Sequence, residues 1–164
     1  MARATHEVFN QARPLQDYNV LESHAALKDA LKFNAPELDT RALHELGALA
    51  GSARMQEHAR LANLHAPVLH THDPYGHRID EVEYHPAYHR IMGAAIAAGA
   101  HTSAWADPRP GANVARAAQF MLFAQVEPGH ACPISMTHAV VPSLQFSPET
   151  AAEWLPRLTS RVNE

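Results

Sequence analysis

Histidine is the first residue type whose abundance and spacing suggest chemistry, with 13 in 164 residues. His70 and His72 would share one face of an extended segment. His85 and His89 are four apart, so they would share one face of a helix begun at Pro86. Asp80, Glu81 and Glu83 lie between the pairs, and imidazoles and carboxylates in one neighbourhood could hold zinc or a di-iron centre. The pattern is incomplete. His85-Pro86-Ala87-Tyr88-His89 lacks the Glu of the His-Glu-x-x-His motif, and no Glu-x-x-His pair on a second helix completes a di-iron site. The favoured reading is structural, with the rings bonding loop carbonyls and capping helix ends and the acids pairing with Arg78 or Arg90.

Cys132 is the second candidate, because a thiol beside an imidazole such as His130 becomes a nucleophile when its proton is lost easily. Catalytic pairs generally meet through folding rather than through sequence adjacency, so a small buried residue in a tight turn is the expected role. The seven glycines form neither a Gly-x-Gly-x-x-Gly fingerprint nor a phosphate-binding P-loop. On residue chemistry alone, no active site is assembled.

The elements that must position these residues are helical. The central one runs from Ala112 towards Val126, with Val114, Ala117, Ala118, Met121 and Leu122 at the spacing of one helix face. Ala115, Phe120, Phe123 and Ala124 cover most of the other side, which predicts a helix buried nearly all round and packed upon by everything else. Before it, Met1 to Leu21 reads as an extended arm with a few apolar anchors. Ser23 is a candidate N-cap for a helix carrying Ala26, Leu27, Ala30 and Leu31. Asp39 or Thr40 opens a helix that Gly51 stops, and Ser52 opens a third with Met55, Ala59 and Ala62 inward.

From Leu64 to Tyr84 the period breaks, and Pro67 with Asp73-Pro74-Tyr75-Gly76 predicts a surface-hugging loop with at most short extended pieces. His85 and Pro86 then start a helix through Tyr88, Ile91, Met92, Ala95 and Ile96, ended by Gly99. After the central helix, Pro133 to Val141 reads as a short helix limited by Pro142. Ser147-Pro148-Glu149 opens a last helix that must bend or end near Pro156. The expected fold is one all-α domain over residues 1–164, a bundle of six or seven helices.

Bulk properties narrow the function classes. A length of 164 residues suits one domain burying roughly two-thirds of its unfolded surface. A net charge of -4 gives no electrostatic footprint for nucleic acid or an anionic membrane, so DNA is an unexpected partner. A single cysteine suits a reducing compartment, and neither a signal peptide nor a membrane-spanning run is visible. The expectation is a soluble cytoplasmic protein.

Several long segments resemble one family. Gly76-His77-Arg78-Ile79-Asp80-Glu81-Val82-Glu83-Tyr84-His85-Pro86-Ala87-Tyr88-His89 resembles the signature of the AidB-type, or adaptive-response, branch of the acyl-CoA dehydrogenases. So does Val114-Ala115-Arg116-Ala117-Ala118 running into Gln125-Val126-Glu127-Pro128-Gly129-His130-Ala131-Cys132-Pro133-Ile134-Ser135-Met136-Thr137. Thr5-His6-Glu7-Val8-Phe9-Asn10-Gln11 with Pro14-Leu15 is similar to the N-terminal arm of that branch. Trp154-Leu155-Pro156-Arg157-Leu158 is similar to a segment found across the superfamily just before its β-domain.

The resemblance implies a three-part flavoprotein, with an N-terminal helical domain, a β-domain and a C-terminal helical domain that binds FAD together with the β-domain. Such enzymes are usually tetramers that desaturate an acyl-CoA, and the AidB branch is additionally linked to protection of DNA during alkylation stress. This chain matches only the N-terminal helical domain, so no catalytic, flavin-binding or metal-binding residue is carried over. No FAD is expected on the chain alone, which is expected to be inactive. Its implied role is to wall the acyl pocket and pack on the missing β- and C-terminal domains or a complementary chain, through Phe120, Phe123, Ile134, Met136 and Thr137. Left without those partners, that apolar surface is expected to drive homo-oligomerisation. Alternatives are a stand-alone helical module that docks a protein partner, or a histidine-based metal-binding protein.

Overall fold

A computed structural model describes residues 5–163. Among the described residues, seven helices of ten residues or more form the body: α2 (Ala25–Asn34), α3 (Arg41–Gly51), α4 (Ala53–Leu64), α5 (Pro86–Ala98), α7 (Ala112–Ala124), α8 (Ala131–Leu144) and α9 (Pro148–Leu158). Two single turns, α1 (Val20–Ser23) and α6 (Ser103–Ala106), join them. A two-stranded hairpin of β1 (Val68–His72) and β2 (Arg78–Glu83) stands between α4 and α5. The mostly helical fold is the expected one.

The central helix is the hub: α7 packs on α2, α3, α5, α6 and α8. It is not buried all round, however. Ala118, Leu122 and Phe123 are sealed in the core, while Met121 is 43% exposed and Ala117 also faces outward. An apolar composition permits burial, but the neighbouring elements decide which face receives it. The larger side chains of the remaining core include Leu21, Leu27, Leu31, Leu43, Leu46, Met55, Ile91, Met92 and Ile134, drawn from several helices.

Helix ends follow local chemistry with several departures from expectation. The cap of α2 is His24, whose Nδ1 accepts the Leu27 N–H, because Ser23 is consumed by the single turn α1. Thr40 begins α3 without a side-chain cap bond, and the Asp39 carboxylate accepts the Arg41 N–H instead. Ser52 caps α4 by accepting from Met55. Gly51 ends α3, but its requirement is close approach rather than a left-handed turn, since a Cβ there would overlap the Tyr18 carbonyl. The Gly51 carbonyl also accepts the Asp17 N–H at 2.7 Å, tying the arm to α3. Earlier in the arm, Val8, Phe9 and Leu15 are exposed, so these apolar residues do not anchor it to this core. Met1 to Ala4 of the expected arm lie outside the described residues.

Two further expectations change. The Leu64–Tyr84 stretch is an antiparallel hairpin with Leu69 opposite Val82 and His70 opposite Glu81, turned at Gly76 (φ +86°). An irregularity between His70 and His72 shifts the register. All strand residues on both faces are exposed. Helix α8 passes through Pro142 to Leu144 instead of stopping at Val141. Proline removes one backbone donor, and the acceptor left open four residues earlier, the His138 carbonyl, takes the indole N–H of Trp105 at 3.1 Å. Helix α9 likewise runs two residues beyond Pro156.

Candidate functional site

The principal cleft, about 900 Å³, opens between α5, the start of α8 and the chain from Pro156 to Asn163. Tyr88, Met92 and Ile96 follow one another at four-residue spacing, so α5 presents them as one stripe along its wall. Tyr84 stacks on Tyr88 with ring centroids 4.4 Å apart, and His89 meets both rings edge-on. Pro133, Ile134 and Thr137 form the α8 side. The Thr137 hydroxyl donates to the Pro133 carbonyl at 2.8 Å, which turns its methyl-bearing side away from the helix turn it bonds.

The far wall is fastened by two buried side chains. His101 Nε2 donates to the Ser160 carbonyl at 2.9 Å, and Thr102 Oγ1 donates to the Leu158 carbonyl at 2.9 Å. With Nε2 donating, His101 Nδ1 is an acceptor, and this buried atom has no partner. Burial pushes the His101 ring below its ordinary value, and the nearby Arg161 and Arg116 push in the same direction. The His138 Nδ1 lies 2.9 Å from the His101 carbonyl and 3.0 Å from the Trp105 indole nitrogen, and in the tautomer that donates to the carbonyl the indole N–H is left to the His138 carbonyl.

The five wall candidates do not converge. Ile134, 2% exposed, and Thr137 line the cleft. Phe123 is wholly inside the core, edge-on to His130. Phe120 is half-buried under the Arg116 guanidinium at 5.1 Å, and Met136 is 67% exposed on the outer side of α8. Tyr84, Tyr88, His89, Met92, Ile96 and His101 complete the cleft. The α5 stripe was visible as a helical period, but which period fronts a cavity depends on packing that spacing does not encode.

Histidine and cysteine are also placed. His70 pairs with Glu83 at 2.7 Å, His77 with Asp73 at 2.9 Å, and Arg78 with Asp80 at 2.6 Å. His85 caps α5 by accepting the Ala87 N–H, while His89 lies against the tyrosines. Among the described residues no three His, Cys, Asp or Glu side chains gather as metal ligands. Cys132 is exposed rather than buried, because the turn containing it is the first turn of α8 and Ile134 takes the inward position. The His130 ring is buried with Nδ1 towards the Glu127 carbonyl, and burial pushes its pKa below the ordinary value.

Among the described residues, those that line the cleft do not by themselves fit FAD. A flavin pyrophosphate needs convergent N–H or cationic donors. The cleft's arginine, Arg157, lies over Trp154 at 5.2 Å, and His101 and Thr137 are turned to chain carbonyls. Among the described residues no helix is long and apolar enough to cross a membrane.

Comparison with known proteins places this architecture. Residues 10–164 match the family described as the adaptive response protein AidB N-terminal domain. Over 158 residues the chain is 44% identical to the putative acyl-CoA dehydrogenase AidB of Escherichia coli (strain K12), covering 95% of this chain and 29% of that protein. Among solved structures, the apo-form of Bd2924 superposes with a TM-score of 0.84 at 27% identity, over 94% of this chain and 32% of that one. Caenorhabditis elegans ACDH-11 in complex with C11-CoA superposes with a TM-score of 0.80 at 22% identity, over 99% of this chain and 29% of that one, a likeness of fold. The chain therefore belongs to the family of AidB N-terminal domains, the helical first part of proteins of the acyl-CoA dehydrogenase type.

Proposed function

We propose that this domain forms the helical wall of an acyl-CoA pocket in an FAD-dependent enzyme of the AidB type, and that it supplies surface rather than reacting groups. The carrying observation is the cleft of about 900 Å³ whose walls are the apolar sides of Tyr88, Met92, Ile96, Ile134 and Thr137. An acyl tail is recognised by such a wall through burial alone. In this reading Ile134 and Thr137 face the acyl group, Phe120 and Met136 face the neighbouring domains, and Phe123 supports them from within. FAD and the base that removes a substrate proton belong to the β- and C-terminal domains. Cytoplasmic location and homo-oligomeric assembly of the whole protein belong to the same proposal.

The test is a chimera that joins this chain to the β- and C-terminal parts of the Escherichia coli relative. The chimera is expected to hold flavin and to change its flavin absorbance when titrated with an acyl-CoA. Thr137→Trp, which fills the cleft, is expected to abolish the response while flavin is retained. An unchanged response in that variant overturns the assignment of the wall, and a lone chain that stays yellow through dialysis and reduces an electron acceptor with a thioester overturns the division of labour.

A second reading, a helical module that docks a protein partner, is favoured by the outer side of α8 and its continuation. Met136 and Phe146 are 67% and 84% exposed there. Self-association that Met136→Lys does not relieve counts against it.

A further inference from the structure

A second pocket, about 440 Å³, lies at the foot of the hairpin where α4, α5 and the 3-10 turn Pro128–His130 meet. Its walls are aromatic in pairs. His65, at the end of α4, stacks on His85, at the start of α5, with centroids 4.6 Å apart and planes within 11°. The Tyr84–Tyr88 stack forms the adjoining wall. Glu127, only 5% exposed, completes the lining.

The Glu127 carboxylate accepts the Gly129 and His130 N–H groups at 2.7 and 2.9 Å, one on each oxygen, so each oxygen keeps accepting capacity. Among the described residues its one ion-pair contact is His130 at 3.7 Å, a ring that burial keeps towards its neutral form. Among the described residues no lysine or arginine lines the pocket. A buried carboxylate in a residue that lines one pocket with four ring side chains, with no lysine or arginine among the described residues there, is an unusual combination, because buried charges are generally paired. Aromatic faces and a carboxylate have one ligand chemistry in common, an organic cation, which the ring quadrupoles and the anion attract together.

We propose that the pocket bounded by His65, His85, Tyr84, Tyr88 and Glu127 binds a guanidinium or alkylammonium group. The group enters from the hairpin side, places its charge against Glu127 and its apolar flank on the tyrosine and histidine faces. This site shares Tyr84, Tyr88 and Pro133 with the principal cleft but is independent of the acyl-pocket reading, since it takes a cation rather than an uncharged chain.

The probes are N-acetyl-arginine amide and tetramethylammonium, titrated into the chain while the ring signals of His65, His85, Tyr84 and Tyr88 are followed by NMR. Saturable shifts with a Kd below about 10 mM are expected for at least one probe, with none for the uncharged analogue N-acetyl-citrulline amide. Tyr84→Leu, at an exposed position, is expected to weaken binding about fivefold without altering the fold. Glu127→Gln, checked first by circular dichroism because Glu127 also caps the turn, is expected to weaken it about tenfold or more. Absence of saturable shifts, equal shifts with the citrulline analogue, or unchanged affinity in Tyr84→Leu would overturn the proposal. In the chimera, ring signals already at their bound positions identify a side chain of the attached domains as the source of the cation, and signals that titrate as in the lone chain identify a free ligand.

Discussion

His101 donates through Nε2 to the carbonyl of Ser160, 59 residues later, and this bond with its neighbour from Thr102 to Leu158 holds the C-terminal segment against α5 and α6. Both donors are buried, so removing either leaves a carbonyl to find another partner. His101→Ala or Thr102→Val is expected to cost about 1–3 kcal/mol. Hydrogen exchange should rise selectively over residues 158–163, and uniform loss of protection across α2 and α3 would contradict this local role.

Acid should destabilise the fold through three imidazoles. Burial is the first cause holding His101, His130 and His138 below the ordinary 6.5. The unfolded chain takes up these protons near pH 6.5 while the folded chain still excludes them, so the unfolded state binds more protons. Their stabilising effect is complete above about pH 6.5 and is lost as pH falls towards the folded values. Urea midpoints should be level from about pH 8 to about 7 and decline towards about pH 5, with a shallower decline in His130→Gln.

Core and surface apolar residues should separate cleanly. Phe123 is fully enclosed, so Phe123→Ala is expected to cost about 3–5 kcal/mol. Met136 is 67% exposed, and Met136→Ala should cost less than about 0.5 kcal/mol. Chemical denaturation of the two variants checks the pair, and comparable losses would place Met136 in an interface between copies of the chain.

Gly51→Ala should be severe for so small a change. The added methyl overlaps the Tyr18 carbonyl oxygen, which is backbone and has no side-chain torsion to yield. A loss of about 3 kcal/mol or more is expected, against the gain that alanine brings to an ordinary helix position. Thermal unfolding measures it directly.

Trp105→Phe removes the donor that occupies the carbonyl opened by Pro142. A cost of about 0.5–1.5 kcal/mol is expected, with faster amide exchange in the last turn of α8. Trp105→Phe combined with Pro142→Ala should recover most of it, because the alanine N–H restores the helical bond.

Most of the helices were legible from residue spacing and from punctuation by proline and glycine. Leu43, Leu46 and Ala50 face inward as their period requires, and Gly99 ends α5 with φ +83°. What escaped was tertiary in origin. Pro142 reads as a stop until Trp105, in another element, supplies the missing donor. The His70-Thr71-His72 run has no apolar alternation, so its pairing with Arg78–Glu83 is carried by backbone bonds and the His70–Glu83 contact. Of the five candidates for a pocket wall, Ile134 and Thr137 line the cleft and Phe123 lies in the core, because one apolar helix can turn any of several faces inward. His101 carried no motif, and only its burial beside the chain's end distinguishes it.

Every strand residue of the hairpin is exposed. Alterations at its tip are therefore decoupled from the folding of the helices. A short epitope inserted between Tyr75 and Gly76 would be displayed without loosening the bundle, which makes this hairpin a natural handle for capturing the domain.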